Sequence, residues 1–129
     1  MSIDIDGNDY HIWESLQDFR PRLICIEFNQ TFPPLYEFVQ EKMVETAKGS
    51  SLYSFIILGK KKGYELICVL GHNAFFVILE EFHKFNISDN SNVSMQCDTS
   101  LLTYLSSGYD GEIMIIGNKQ MPWHKFDYN

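Results

Sequence analysis

The fold is decided near the start of the chain by residues 2–28, which have the sequence SIDIDGNDYHIWESLQDFRPRLICIEF. The first four of these residues alternate polar and apolar side chains and then meet the turn sequence DGN at residues 6–8, which predicts a short strand followed by a turn. Apolar side chains recur at helical spacing over residues 9–17, and the nearly unbroken apolar run at residues 23–28 is typical of a strand covered on both faces. A strand, a helix and a strand within about 30 residues predict a βαβ unit with a parallel strand pair.

The predicted core continues downstream of this unit. We expect a helix over residues 36–47, then a second helix that is capped by Ser50 or Ser51 and closes at a glycine, residue 63. Two strand-like runs within residues 64–79 are separated only by the turn sequence GHN, which predicts an antiparallel hairpin.

The C-terminal third has a weaker pattern. We interpret residues 1–129 as one domain, with a core at residues 1–84 and a polar loop plus C-terminal extension at residues 85–129. Within the extension, the pattern predicts a mobile loop at 86–92, a short helix from the leucines at 101, 102 and 105, a turn at 109–111, a strand at 112–116 and a closing segment at 121–124.

Composition and charge limit the classes of function. A hydrophobic fraction of 45% and an aromatic fraction of 15% indicate a folded globule. The net charge of -7 argues against a nucleic-acid partner, because phosphate binding needs a basic face. The four histidines follow no compact metal-ligand spacing, so zinc is not expected.

The sequence predicts a cytoplasmic location and no membrane span. No run approaches the roughly 20 apolar residues that a membrane helix needs, and the first residues lack the basic and apolar regions of a secretion signal. Three cysteines stand at wide spacing, and Cys25 and Cys68 lie in apolar runs where a thiol acts as a small hydrophobe. Such cysteines favour a reducing compartment.

Several segments, taken in order, resemble FkbM-type methyltransferases. Residues 2–16 are similar to the segment where a strand of that family ends in an Asp-Val-Glu-Gly-like motif, which stands here as Asp4-Ile5-Asp6-Gly7. Residues 21–29, PRLICIEFN, resemble the next parallel strand, and residues 49–79 resemble the final helix and terminal antiparallel hairpin. The tail at residues 109–124 is similar to related proteins of bacterial surface-polysaccharide gene clusters.

This resemblance implies an α/β fold: a partial Rossmann-like methyltransferase sheet, with parallel strands followed by a C-terminal antiparallel hairpin and helices on the faces. It also implies S-adenosylmethionine-dependent O-methyl transfer to a sugar or other small acceptor. Members of the class begin with a strand and a glycine-rich turn that passes the cofactor, and this sequence has no such turn. The resemblance therefore covers the C-terminal half, and we expect activity only when a complementary N-terminal half supplies the cofactor site.

The candidate site lies where the two predicted parallel strands end, because ligands of open α/β sheets bind beyond the carboxyl ends of the strands. Asp4 and Asp6 are the candidates to orient or deprotonate an acceptor hydroxyl, and Glu27, Asn29 and Asn8 are candidates to bind the acceptor. The carboxylates of Asp4, Asp6 and Glu27 are also suitable ligands for Mg²⁺. In the alternative interpretation, Asp6 and Asn29 stabilise turns through side-chain hydrogen bonds, while Asp4 and Glu27 face solvent.

Two further hypotheses remain open for the chain as a whole. One is that it is a non-catalytic interaction module, and the other is that it is a degenerate fragment. In the first of these, the predicted strand at residues 2–5 presents an unpaired sheet edge, which invites pairing into a homodimer.

Overall fold

A four-stranded mixed sheet forms the centre of the fold. The structure is a computed structural model that describes residues 1–42, 47–87, 97 and 103–117. The strands of the sheet lie in the order β1-β2-β4-β3 and are β1 (Ser2–Ile3), β2 (Leu23–Glu27), β3 (Tyr64–Leu70) and β4 (Asn73–Ile78).

The predicted βαβ unit is confirmed. Strand β1 pairs in parallel with β2, with Ser2 opposite Cys25 and Ile3 opposite Ile26. Helix α1 (Asp9–Ser15) connects the two strands. Because the strands run the same way, the residues that follow β1 and those that follow β2 emerge at the same edge of the sheet.

The predicted antiparallel hairpin is also confirmed. Strands β3 and β4 pair antiparallel, with a bulge between Leu66 and Cys68, and β4 pairs antiparallel with β2. The second strand of the hairpin therefore lies between the first strand and the βαβ unit, so that the hairpin extends the same sheet.

Helix α2 (Leu52–Lys62) has both of its predicted ends. Ser51 caps the N-terminus by accepting a hydrogen bond from the backbone N–H of Ser54. Gly63 closes the C-terminus in the left-handed conformation, with φ of 78°, and its N–H donates to the carbonyls of Gly59 and Lys60.

The core lies on the face of the sheet that carries Ile24 and Ile26, and both α1 and α2 pack against that face. Trp13 of α1 is 1% exposed, and its ring centroid lies 4.9 Å from that of Phe76 on β4 and 6.3 Å from that of Phe55 on α2. This aromatic cluster fixes α1, and with it the turn between β1 and α1, relative to the sheet.

The prediction of a helix over residues 36–47 is wrong for its described part, residues 36–42 and 47, which are not helical. The backbone N–H of Phe38 donates to the hydroxyls of Ser51 and Ser54, and its carbonyl accepts from the backbone N–H of Ser51. These contacts with the start of α2 satisfy backbone groups that a helix would have used internally.

The prediction of a short helix around residue 105 is also wrong. Residues Thr103–Ser107 form strand β5, which pairs antiparallel with β6 (Ile113–Gly117) around the predicted turn at 109–111. Backbone pairing with β6 therefore overrides the leucine spacing, and the strand predicted at 112–116 is confirmed as β6. The predictions for 88–92, for residues 101 and 102 and for 121–124 fall outside the described residues.

The segment after the hairpin contains more helix than expected. A short helix, α3 (Leu79–Phe82), begins directly after β4 and continues into a 3₁₀ turn (His83–Phe85). In the part of the chain that the structure describes, no helix has both the length and the apolar character required to cross a membrane.

Candidate functional site

Three carboxylates converge where β1 and β2 end. Asp4 and Asp6 follow β1, and Glu27 is the last residue of β2. One carboxylate oxygen from each of the three lies within 4.8 Å of the others. We call Asp4, Asp6 and Glu27 the acidic cluster. The sequence predicted each of these residues, and the parallel pairing of β1 and β2 brings them together.

Burial and neighbouring negative charge change the acidity of Glu27. Its pKa is raised from 4.5 to about 7, first because the side chain is half-buried, and then because Asp4, Asp9 and Asp6 place negative charge around it. A hydrogen bond with Asp4 raises the pKa further, because the protonated carboxyl of Glu27 is the donor in that bond. A carboxyl that exchanges its proton near neutral pH is suited to acid-base chemistry.

A cavity of about 460 Å³ adjoins the acidic cluster. Four segments meet around it: the turn between β1 and α1, the end of β2, residues 47–49, and the turn between β3 and β4. The lining residues are Asp6, Gly7, Asp9, Glu27, Phe28, Asn29, Gln30, Ala47, Lys48, Gly49 and His72. Most of these side chains are polar, so the cavity favours a polar ligand.

Asp9 stabilises the turn that carries Asp6 of the acidic cluster. Its side chain is 2% exposed, one carboxylate oxygen accepts the backbone N–H of Ile5, and the other accepts the backbone N–H of Gly7, each at 3.0 Å. These bonds hold the β1–α1 turn in which Asp6 adopts a positive φ of 54°. Asp9 is therefore a residue that fixes the direction of Asp6, which the sequence pattern alone did not show.

Asn29 lines the cavity, but its amide is engaged within the protein. Its Oδ1 accepts from the backbone N–H and the hydroxyl of Thr31, at 2.8 and 2.6 Å, and its Nδ2 donates to the carbonyl of Lys48 at 2.6 Å. This geometry supports the turn interpretation of Asn29 over acceptor binding.

Asn8 is placed differently from the other candidates. It stands at the N-cap of α1 without a capping bond from its side chain, and it is not among the residues that line the cavity. Its Oδ1 is buried without a hydrogen-bond partner among the described residues.

Sequence reasoning missed three residues that shape the cavity. Lys48 and His72 line it directly, and the carbonyl of His72 accepts the backbone N–H of Phe28 at 2.8 Å. Gln40 is 2% exposed, and its side-chain Oε1 accepts hydrogen bonds from the backbone N–H groups of residues 48 and 49. A single glutamine in a segment that was expected to be helical carries no signal for this role.

The residues present fit a hard cation better than they fit the methyl donor. Three carboxylates are the kind of oxygen ligand that Mg²⁺ takes, and Asp4, Asp6 and Glu27 would hold it; a bound Mg²⁺ would lower the pKa of a hydroxyl there. S-adenosylmethionine is not accommodated in the same way. The glycine of the β1–α1 turn is covered, since a Cβ on Gly7 would lie 2.8 Å from Nε2 of Gln40. Gly7 therefore leaves no free space beside its Cα into which a cofactor could pack.

The fold and the site together define an α/β domain with a mixed sheet. An acidic cluster and a cavity lie at the edge of this sheet where the parallel strands end. No model of a protein family, no curated protein and no solved structure matches this chain. The resemblance to methyltransferases accordingly depends on the sequence segments that carry it.

Proposed function

We propose that the chain is a methyltransferase-like domain whose acidic cluster binds and deprotonates the hydroxyl of a sugar or other small acceptor, for O-methyl transfer from S-adenosylmethionine. The observation that carries the proposal is the convergence of Asp4, Asp6 and Glu27 beside the cavity at the end of the parallel strands. The methyl donor is bound by a complementary half that completes the fold. A cytoplasmic location agrees with the three cysteines, all of which are free.

We give the three carboxylates separate roles in this proposal. Glu27 accepts the proton from the acceptor hydroxyl, because its pKa of about 7 lets it be both ionised before the step and protonated after it. Asp4 then accepts the hydrogen bond that the protonated Glu27 donates. Asp6 is exposed where it lines the cavity, and it orients the acceptor by accepting hydrogen bonds from the hydroxyl groups of the acceptor. The sequence had placed the base at Asp4 or Asp6, and this proposal moves that role to Glu27.

The size and lining of the cavity suit such an acceptor. Its volume of about 460 Å³ falls within the range of roughly 300–1,000 Å³ that is typical of small-molecule sites. Polar side chains surround the buried ring of Phe28, which gives the mixture of hydrogen-bonding and apolar surface that a sugar ring presents.

The test uses the protein purified from its native host together with the polypeptides that accompany it. The preparation is incubated with methyl-labelled S-adenosylmethionine and a panel of monosaccharides between pH 6 and pH 9. We expect label transfer that increases as pH rises through about 7, and a loss of roughly 100-fold or more in Glu27→Gln. The matched control is Glu112→Gln, which changes an exposed carboxylate that does not line the cavity.

Two results would count against the proposal. One is a Glu27→Gln protein that transfers label as fast as the wild type. The other is a folded preparation that neither transfers label nor binds S-adenosylhomocysteine in calorimetry. Addition of a chelator and then of Mg²⁺ separates direct proton removal by Glu27 from a reaction that needs the cation.

The edge of the sheet favours a second candidate, a non-catalytic interaction module. Strand β1 has only two residues and lies at the edge of the sheet, and no described strand pairs with its outer side. Pairing of this edge with a second copy of the chain would give a homodimer. Light scattering of the purified chain distinguishes the cases, since a dimer that dissociates when Ser2→Pro removes an outward-facing backbone donor supports this candidate and a strict monomer excludes it.

A further inference from the structure

We propose that Gln40 is the positioning residue of the cavity, because its buried side-chain amide holds residues 47–49 as an outer wall against the turn that carries Asp6. The inference deepens the proposed function, since it concerns the wall that faces the acceptor. Gln40 contacts neither the reacting atoms nor the cofactor, and it acts through the backbone of Lys48 and Gly49.

The contacts of Gln40 with the wall are specific. Its Oε1 accepts the backbone N–H of Lys48 at 2.5 Å and that of Gly49 at 2.8 Å. The side chain is 2% exposed, so its amide oxygen is directed to these backbone N–H groups and not to bulk solvent. The two amides of the wall therefore share one buried oxygen atom.

The same amide packs against the other side of the cavity. A Cβ built on Gly7 would lie 2.8 Å from Nε2 and 3.0 Å from Oε1 of Gln40, and 3.2 Å from the Cα of Ala47. Gly7 has φ of 133°, which side-chain-bearing residues rarely adopt. The glycine of the motif at residues 4–7 is thus required for the close approach of Gln40.

The backbone of Gln40 is fixed from two directions. Its N–H donates to the hydroxyl of Ser50 at 3.2 Å, and its carbonyl lies 2.6 Å from Nε2 of His11 on α1. Asn29 provides a second tether to the wall by donating from its Nδ2 to the carbonyl of Lys48. Gln40 accordingly connects α1, the start of α2, the β1–α1 turn and the wall at a single buried point.

The experiment compares variants that separate shape from hydrogen bonding. Gln40→Met retains the length of the side chain but removes the acceptor, while Gln40→Glu retains acceptor oxygens for both amides. Gln17→Met is the matched control, because Gln17 is exposed. Amide hydrogen exchange is measured at Lys48 and Gly49, with Phe55 of α2 as the reference for the whole fold.

We expect exchange at Lys48 and Gly49 to become about tenfold faster or more in Gln40→Met and to stay within about threefold of the wild type in Gln40→Glu and Gln17→Met. Unchanged exchange in Gln40→Met would overturn the inference, and so would a failure of Gln40→Glu to restore protection. Equal acceleration at Phe55 would also overturn it, because Gln40 would then stabilise the whole fold and not the wall.

Methyl-transfer kinetics separate this inference from the proposed function. If both hold, Gln40→Met raises the KM for the acceptor about tenfold with kcat within about threefold, whereas Glu27→Gln lowers kcat. If exchange shows a loosened wall but no preparation transfers methyl groups, the proposed function fails and the role of Gln40 stands. If transfer occurs but neither KM nor exchange responds to Gln40→Met, the inference about Gln40 fails alone.

Discussion

At Glu27, a carboxyl with an ordinary pKa of 4.5 keeps its proton up to about pH 7 in the folded protein. Because the folded state holds this proton more tightly than the unfolded state does, protonated Glu27 favours folding. The stabilisation is fully present below about pH 4.5 and is lost as pH rises through about 7. The residue that we assign as the base is therefore also one that weakens the fold at higher pH.

We predict that Glu27→Gln is more stable than the wild type at pH 8 and close to it at pH 5. The neutral amide removes the buried charge, and the expected gain at pH 8 is about 2 kcal/mol once solvent screening of this half-buried group is allowed for. Urea unfolding at the two pH values measures it, with Glu41→Gln as an exposed control. An equal stability of Glu27→Gln and wild type at both pH values would contradict the raised pKa.

Gly7 offers a second prediction at the scale of one residue. Gly7→Ala should lower the free energy of unfolding by about 2–4 kcal/mol. The new Cβ would lie against the side chain of Gln40, and alanine would have to adopt an unfavourable positive φ. Gly71→Ala is the comparison: Gly71 has a φ of 58°, in the left-handed region that alanine tolerates better than the φ of 133° at Gly7, and a Cβ there has nothing within 4 Å, so it should cost only about 1 kcal/mol. Equal costs in urea unfolding would show that the contact with Gln40 adds nothing.

At the scale of elements, the start of α2 determines the conformation of the segment before it. The hydroxyl of Ser51 accepts from the backbone N–H of Ser54 at 3.3 Å and from that of Phe38 at 3.1 Å. The sequence showed the cap, because a serine before an apolar helical pattern is a local signal. It did not show the contact with Phe38, since that partner lies 13 residues away along the chain.

We predict that Ser51→Ala destabilises the protein by about 1–2 kcal/mol, because it removes the acceptor of the buried backbone N–H of Ser54 and one of the two acceptors of the part-buried N–H of Phe38. Ser15→Ala, at an exposed position in the last turn of α1, should change stability by no more than about 0.5 kcal/mol. Chemical denaturation of both variants tests the difference. A Ser51→Ala protein as stable as the Ser15→Ala control would show that the cap contributes little.

For the whole molecule, the βαβ unit and the hairpin were predictable because their signals are local: apolar periodicity, turn residues and a capped helix. The acidic cluster followed from them, since parallel strands bring Asp4, Asp6 and Glu27 to the same edge. The raised pKa of Glu27 and the position of Gln40 did not follow. Both depend on how residues far apart in sequence pack, and the misassigned segment at 36–42 hid Gln40 inside an expected helix.

The convergence of these carboxylates is the central claim, and carbon-13 NMR of the Glu27 side-chain carboxyl, titrated between pH 3 and pH 9, tests it most directly. We predict a midpoint of about 7 in the wild type. The midpoint should fall in Asp4→Asn, which removes a negative charge and replaces a charged hydrogen-bond acceptor by a neutral, weaker one, and should not move in Asp18→Asn, an exposed control. A wild-type midpoint near 4.5 that Asp4→Asn leaves unchanged would show that the three carboxylates do not form a shared proton-binding site.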